Sequence, residues 1–382
     1  MLLDHRFARP DGAAAEFRFG TLRRRAPAAT LTAIQPIAAR CGVTRLADVT
    51  GLDTIGIPVF QAIRPMARSL SVSQGKGVTR VAARVSALME AIELHHAEIA
   101  LPSCHGVARA GDCLADYDGM AIDWCAGTDL LSGQVTRVPH ALVSMDYASL
   151  DGPPPIATSN GLASGNDRTE AIVSGLCEVI ERDAQSRWLG RSAAARHRSA
   201  IDPDTITAPL GRRLLRQISA AGLGMRLWSF GEDHGVAAIA CALYELAPHP
   251  VLMPVMGAGV HLEPVVALAR AVTEAAQARA TLIAGARDDL SDGDFAEPDA
   301  GRLRFLMESF GHGAPGLDWE KLRSRSSHCL ARDGDALLAG AEAAGARQIA
   351  CVDLTGEGLP IAVVKILVPG FLGHARPAVR AA

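Results

Sequence analysis

Two matching octads constrain this chain more than any other feature. Ser86-Ala-Leu-Met-Glu-Ala-Ile-Glu93 and Ser174-Gly-Leu-Cys-Glu-Val-Ile-Glu181 share the pattern S-x-L-x-E-x-I-E and lie 88 residues apart. A helix turns about 100° per residue, so Ser86, Glu90 and Glu93 fall within roughly 60° of one another. Val81, Val85, Leu88 and Ile92 fall on the opposite side, and in the second copy Leu176 and Ile180 oppose Ser174, Glu178 and Glu181. Each octad predicts a helix with a packed back and an acidic front. A single such helix reads as an ordinary solvated surface element; the duplication argues for a shared site.

The segments in front of the octads point the same way. Gly75-Lys76-Gly77 precedes Glu90, Gly165-Asn166 precedes Glu178, and Gly77 and Gly165 each stand 13 residues before the first glutamate. A glycine loop feeding a helix presents backbone N–H groups to an anion. Two like charges ~5 Å apart at an effective dielectric of ~20 repel by ~3 kcal/mol. Four converging carboxylates therefore need a cation, and hard Mg²⁺ prefers carboxylate, water and phosphate oxygens. The pattern predicts a nucleotide-phosphate site with Mg²⁺ held by Glu90, Glu93, Glu178 and Glu181. It is not a P-loop, because G-x-x-x-x-G-K-[ST] is missing. Lys76 reads either as a phosphate contact or as an exposed loop lysine, and Arg182 either as a phosphate clamp or as a salt-bridge partner of a neighbouring carboxylate.

A third unit is fainter. Gly257-Ala-Gly259, read as a turn, precedes a predicted helix over Val265–Ala284 that carries Arg270, Glu274, Gln277 and Arg279. Glu274 and Gln277 repeat the three-residue spacing, with the second glutamate replaced and two arginines added. This reads as a helix supplying positive charge to a polyphosphate, or as i,i+4 surface pairing. Gly285-Ala-Arg-Asp-Asp289 follows it.

The remaining chain predicts a helix over Leu31–Cys41, a strand over Ile55–Phe60 and a strand pair within Asp116–Tyr147 that turns at Ser132-Gly133. A helix is expected over Leu210–Ile218, then an antiparallel pair, Leu227–Phe230 with Val236–Leu246. Helices follow at Ala300–Ser309 and Ala336–Ala344, and Ile349–Asp353 and Ile361–Val368 read as buried parallel-type strands.

Composition sets the outer limits. At 382 residues, 49% hydrophobic and a net charge of −3, the chain has a large core and no basic excess for nucleic acid. Arg23-Arg24-Arg25 is too short to change that and reads as a solvated face. Eight scattered cysteines without C-x-x-C argue against a zinc site or a disulfide framework. No secretory signal or membrane span is evident, so a cytoplasmic protein is expected.

In order along the chain, S-Q-G-K-G with S-A-L-x-E-x-I-E, N-G-x-A-x-G-N with E-x-x-E-R-D, G-x-G with E-x-x-Q-x-R and G-x-R-D-D, and a final V-P-G resemble the YcaO family from Gly51 to Gly370. The resemblance implies an α/β fold with internally repeated helix units on mixed β-sheets and a nucleotide site between the repeats. It divides the chain into an N-terminal segment, 1–50, a YcaO domain, 51–370, and a tail, 371–382. It implies an ATP-dependent enzyme activating peptide-backbone amides, with Mg²⁺ on Glu90, Glu93, Glu178 and Glu181. ATP would be contacted by Lys76, Ser86, Asn166, Arg182, Gln277 and Arg279, and the protein would be a homodimer.

Ala47–Asp53, Ile55-Gly-Ile-Pro58 and His96-Ala-Glu98 are similar to the branch that works with a TfuA partner and installs backbone thioamides. The absence of a P-x-P-x-P tail leans the same way. Azoline formation on Cys, Ser or Thr of a ribosomally made peptide is the rival, and a non-catalytic ATP-binding scaffold a third reading. No general base stands out; His95, His96 and His261 are candidates by location only.

Overall fold

The structure is a computed structural model that describes residues 17–99, 101–148, 157–246, 253–290 and 316–373. Its helices are α1 (Pro27–Arg40), α2 (Arg80–Glu98), α3 (Arg168–Leu189), α4 (Ala193–Arg198), α5 (Pro209–Ala220), α6 (Pro264–Ala284) and α7 (Leu330–Ala343). The first strands are β1 (Arg45–Asp48), β2 (Val59–Ile63), β3 (Val72–Lys76), β4 (Cys104–Val107), β5 (Ala121–Asp129) and β6 (Val135–Pro139). Then follow β7 (Leu162–Gly165), β8 (Leu223–Ser229), β9 (Ala237–Glu245), β10 (Val255–His261), β11 (Ala350–Asp353) and β12 (Ala362–Leu367).

Three sheets result: β1-β2-β3, β8-β9-β10, and a six-stranded sheet ordered β4-β5-β11-β12-β7 with β6 also on β5. Every named ladder among the described residues is antiparallel. This corrects the reading of β11 and β12 as parallel-type strands: Ala350 pairs with Leu367 and Asp353 with Val364 in opposite directions. Their continuous apolar runs arise because both faces of the sheet are covered, which hides the usual alternation. The expected turn at Gly133 (φ 75°) joins β5 to β6, and Gly222 (φ 73°) joins α5 to β8.

The architecture rests on three strand–helix units, β3–α2, β7–α3 and β10–α6. In each, the helix folds back over its own strand. The caps differ: Thr79 accepts from Ala82 N–H, Asp167 accepts from Glu170 N–H, and Pro264 opens α6. The glycines read as anion-binding loops have another task. Gly75, Gly165, Gly257 and Gly259 lie inside strands, and a Cβ there would collide with helix backbone: Ala87 and Ala83, Ala171, Ala275 and Ala271, and Ala267 respectively. They let each helix axis approach its strand to backbone contact.

Apolar packing ties the units together. Ile34 and Ile37 of α1 share a core with Leu88 and Ile92 of α2 and with Val352 and Val363. Ile172, Leu176 and Ile180 of α3 pack with Leu337 and Leu338 of α7 and with Ile366. Leu268 and Val272 of α6 pack with Leu214, Ile218 and Ile239. The described part of the N-terminal segment, 17–50, is built into this body, since α1 packs on α2 and β1 pairs with β2. The helix expected over Ala300–Ser309 lies outside the described residues, as does the tail from residue 374. α7 begins at Leu330, ahead of the expected Ala336.

A buried polar hub closes the fold beside α3. Asp183 and His234 are both fully buried, with Oδ2 to Nε2 at 2.7 Å, and the Leu372 N–H donates to Asp183 Oδ1 at 2.7 Å. Burial pushes the Asp183 carboxyl up, but bonds from His234, Leu372 and Arg187 outweigh it and hold the pKa below the usual value. Stability from this group is present above the unfolded-state pKa and is lost as pH falls through the lower folded-state value. Asp183→Asn should cost about 2–3 kcal/mol at neutral pH in chemical denaturation, and less in acid. Gly257→Ala should cost on the order of 3 kcal/mol in the same assay, because backbone rather than a pliable side chain blocks the new methyl.

Candidate nucleotide site

The three units face one cavity of about 1000 Å³. α2 contributes Ser86, Glu90 and Glu93; α3 contributes Ser174, Glu178, Glu181 and Arg182; α6 contributes Arg270, Glu274 and Gln277. Lys76 and Asn166 enter from the strand ends. The convergence follows from register. The offset from N-cap to the first octad glutamate, or to Glu274 in α6, is the same in all three helices: Thr79 to Glu90, Asp167 to Glu178, Glu263 to Glu274. Equal offsets on helices folded over equivalent strands put the acidic turns at one level. The acidic fronts are therefore turned inward to a shared space.

Burial dominates the electrostatics of this level. Burial pushes Glu93 up to about 8, opposed by its bond from Ser164 Oγ and reinforced by Glu90 and Glu178. Burial likewise pushes Glu178 up to about 7 against the field of Arg182, and raises Glu90 and Glu181. Glu90 accepts from Gln74 N–H at 2.9 Å. Glu274 goes the other way: Lys76 Nζ, 2.6 Å away, with Arg182 and Arg270 outweighs burial and holds it low. Glu181 is 2% exposed, yet its Oε2 has no hydrogen-bond partner, and Arg270 Nη2 is only within 3.9 Å. Among the described residues the Arg182 guanidinium makes no hydrogen bond or ion pair, while its charge faces Glu181, Glu274 and Glu178.

This donor set fits Mg²⁺ with a polyphosphate. The buried carboxylates are hard oxygen donors, one of them with an orphaned oxygen. No group of three or more His, Cys, Asp or Glu side chains among the described residues is gathered closely enough to hold a metal by itself. A cation between the glutamate pairs would take its other oxygens from phosphate or water. Arg182, Arg270 and Lys76 supply the positive charge such an anion requires.

Arg279 is not part of this lining. Its guanidinium is turned away, with Nε to the Asp53 carboxylate at 2.9 and 3.0 Å and Nη2 to Glu245 Oε1 at 2.6 Å. It joins α6 to the Asp53 loop and to β9, apart from the other residues expected to contact ATP. His95, His96 and His261 also lie outside the lining. Burial and the neighbouring arginines depress His261 to about 3, and its Nδ1 accepts from Glu263 N–H at 2.9 Å.

Other lining groups were missed. The Arg23-Arg24-Arg25 run is not a solvated face. Arg23 donates to Ser174 Oγ at 2.7 Å and to Glu170 Oε1 at 3.3 Å, Arg24 Nε donates to Asp167 at 2.8 Å, and Arg25 lines the cavity. Thr30 Oγ1 donates to Asn166 Oδ1 at 2.8 Å. Residues 17–30 thus form a strap across one end of the site. Behind Glu178 stands Lys365, 1% exposed, donating to Thr158 O; burial lowers it to about 8. Partners about 140 to 150 positions away leave no local signal for the strap, and an isolated lysine in an apolar strand gives none for Lys365.

Residues 108–372 match the profile described as YcaO cyclodehydratase, ATP- and Mg²⁺-binding. ATP and Mg²⁺ are thus the cofactors of the matched family, as the sequence implied. A protein of Rhizobium leguminosarum bv. trifolii, known from the region 3′ of tfuA and uncharacterized, is 34% identical over 379 residues, covering 90% of this chain and 87% of that protein. An uncharacterized protein of Methanothermobacter thermautotrophicus is 35% identical over 370 residues, covering 90% and 94%. The structure of YcaO from Methanopyrus kandleri bound with AMPPCP and Mg²⁺ superposes with a TM-score of 0.78 at 26% identity, covering 94% of each chain. No helix among the described residues is long and apolar enough to cross a membrane.

The ion pairs of Arg279 offer a test that separates stability from binding. Arg279→Met should destabilise the protein by on the order of 3 kcal/mol, since Asp53 is left buried without its cation. Calorimetric affinity for AMPPCP, measured below the melting temperature, should stay unchanged.

Proposed function

This chain belongs to the YcaO family, and we propose that it activates a peptide-backbone amide with ATP, leading to a backbone thioamide with a TfuA-like partner. One observation carries the ATP reading: the guanidinium of Arg182, with no hydrogen bond or ion pair among the described residues, faces Glu178 and Glu181, whose burial raises their pKa values. That pairing calls for an anion and a cation together, and Mg²⁺ with a polyphosphate supplies both.

In this reading Glu90, Glu93, Glu178 and Glu181 hold Mg²⁺. Lys76, Arg182 and Arg270 offset phosphate charge, and Ser86, Asn166 and Gln277 offer hydrogen bonds. ATP supplies the phosphoryl group that converts the amide oxygen into a leaving group, with Mg²⁺ neutralising its charge. A sulfur nucleophile adds to the amide carbon, the oxygen departs as phosphate, and C=S remains. The protein's part is positioning and exclusion of water. Among the described residues no cysteine lines the cavity, which favours sulfide, or sulfur delivered by a partner. The TfuA association draws on the relative from the tfuA region and on the similarity of Ala47–Asp53 to that branch.

The matched family's description favours a second reading, azoline formation, in which a substrate Cys, Ser or Thr is the nucleophile. Mass spectrometry separates the two: thioamidation exchanges oxygen for sulfur and needs a sulfur source, whereas cyclodehydration loses one water and does not. A non-catalytic scaffold would bind ATP without peptide-dependent phosphate release. Glu178→Gln should lower ATP turnover on the order of 100-fold while the fold melts normally; undiminished turnover would remove Glu178 from the metal site.

A further inference from the structure

The Gly285–Leu290 segment carries the G-x-R-D-D motif but has no role in the site so far, yet it holds a cation at the cavity. Gly285 caps α6 in the left-handed region (φ 56°) and turns the chain toward β3. There Asp288 anchors it, accepting from Ser71 N–H at 2.8 Å and from Ser71 Oγ at 2.6 Å. On either side of that anchor, Arg287 and Asp289 both line the cavity. Arg287 Nε donates to Asp289 Oδ1 at 2.8 Å, and Nη2 bonds the other oxygen. A pair between near neighbours, 27% and 47% exposed, is worth little. A phosphate offers the same two-pronged geometry with more charge.

The position of Arg287 sets which phosphate it meets. The 17–30 strap crosses the site where α2 and α3 begin: Gly20 abuts Val78, and Arg24 binds the Asp167 cap. That end is walled by Phe19, Pro27, Val78, Ala82 and Val85, with Arg23 and Arg25 beside them, an apolar surface with polar groups suited to a nucleoside. Arg287 lies beyond the other end, past the last turn of α6, and its charge acts on Glu90. The acidic level stands between the two. The carboxyl end of a helix repels anions, so an anion arriving there needs a cation such as Arg287.

We propose that Arg287 binds the terminal phosphate of the nucleotide, with Asp289 holding the guanidinium in the bidentate pose until that phosphate replaces it. Arg182 and Arg270 serve the inner phosphates. The inference rests on the nucleotide reading above, and the test separates the two.

Full-length protein with Mg²⁺ would be titrated calorimetrically with AMPPCP and with ADP. Arg287→Ala should weaken AMPPCP about tenfold or more and change ADP by less than about twofold. Arg287→Lys, which keeps the charge and loses the fork, should fall between. Should Arg287→Ala not fold, Arg287→Lys carries the comparison alone, and the selective loss must persist. Equal losses for both nucleotides, or none for AMPPCP, would overturn the assignment. A wild-type chain that bound neither would remove the nucleotide reading beneath it.

Discussion

The burial of four carboxylates at one level is the constraint around which this molecule is arranged. Burial raises the proton affinity of Glu90, Glu93, Glu178 and Glu181, and neighbouring carboxylates add to it: Glu90 and Glu178 on Glu93, Glu181 on Glu178, and Glu274 on Glu90 and Glu181. Nothing in helix propensity or core packing asks for that. The scaffold tolerates it because each acid sits on a helix pressed to backbone contact against its own strand, and because the strands are tied through apolar packing. Three separate supports fix the acidic turns at one level, so none can swing outward to be hydrated without breaking a strand–helix seam.

The third unit breaks the near-symmetry usefully. Where α2 and α3 carry a serine and two glutamates, α6 carries Arg270, Glu274 and Gln277. Lys76 takes up Glu274, leaving α6 with little negative charge to add. Two walls of the cavity favour cations and the third favours anions. A metal bound to a polyphosphate carries that same division of charge, which is why the arrangement suits such a complex better than either species alone.

Much of this was legible in the residues. The octad spacing placed both glutamate pairs on helix faces, and α2, α3, α5 and α6 lie close to where periodicity put them. The glycines were recognised as significant, but their role was misread. A glycine before a helix can expose N–H groups or admit a close neighbour, and sequence spacing does not distinguish the two. The ion pairs of Arg279 are invisible in the sequence because its partners, Asp53 and Glu245, are distant along the chain and only the fold brings them together. The strap failed for the same reason. Its arginines look like any short basic run until α3 is set beside them. Local periodicity thus recovered what each helix presents, while long-range pairing decided which charges remain available.

One consequence concerns modularity. The stretch that matches the family profile begins at residue 108, after α2 and after the strap. Glu90, Glu93, Lys76 and the Arg23–Arg25 clasp all come from the chain before that point. A graft of the matched stretch alone would bring one jaw of the grip without its opposite. For recombination, by nature or by an engineer, the transferable unit is accordingly the whole wound body, and the edge of the profile match is not a joint along which it can be cut.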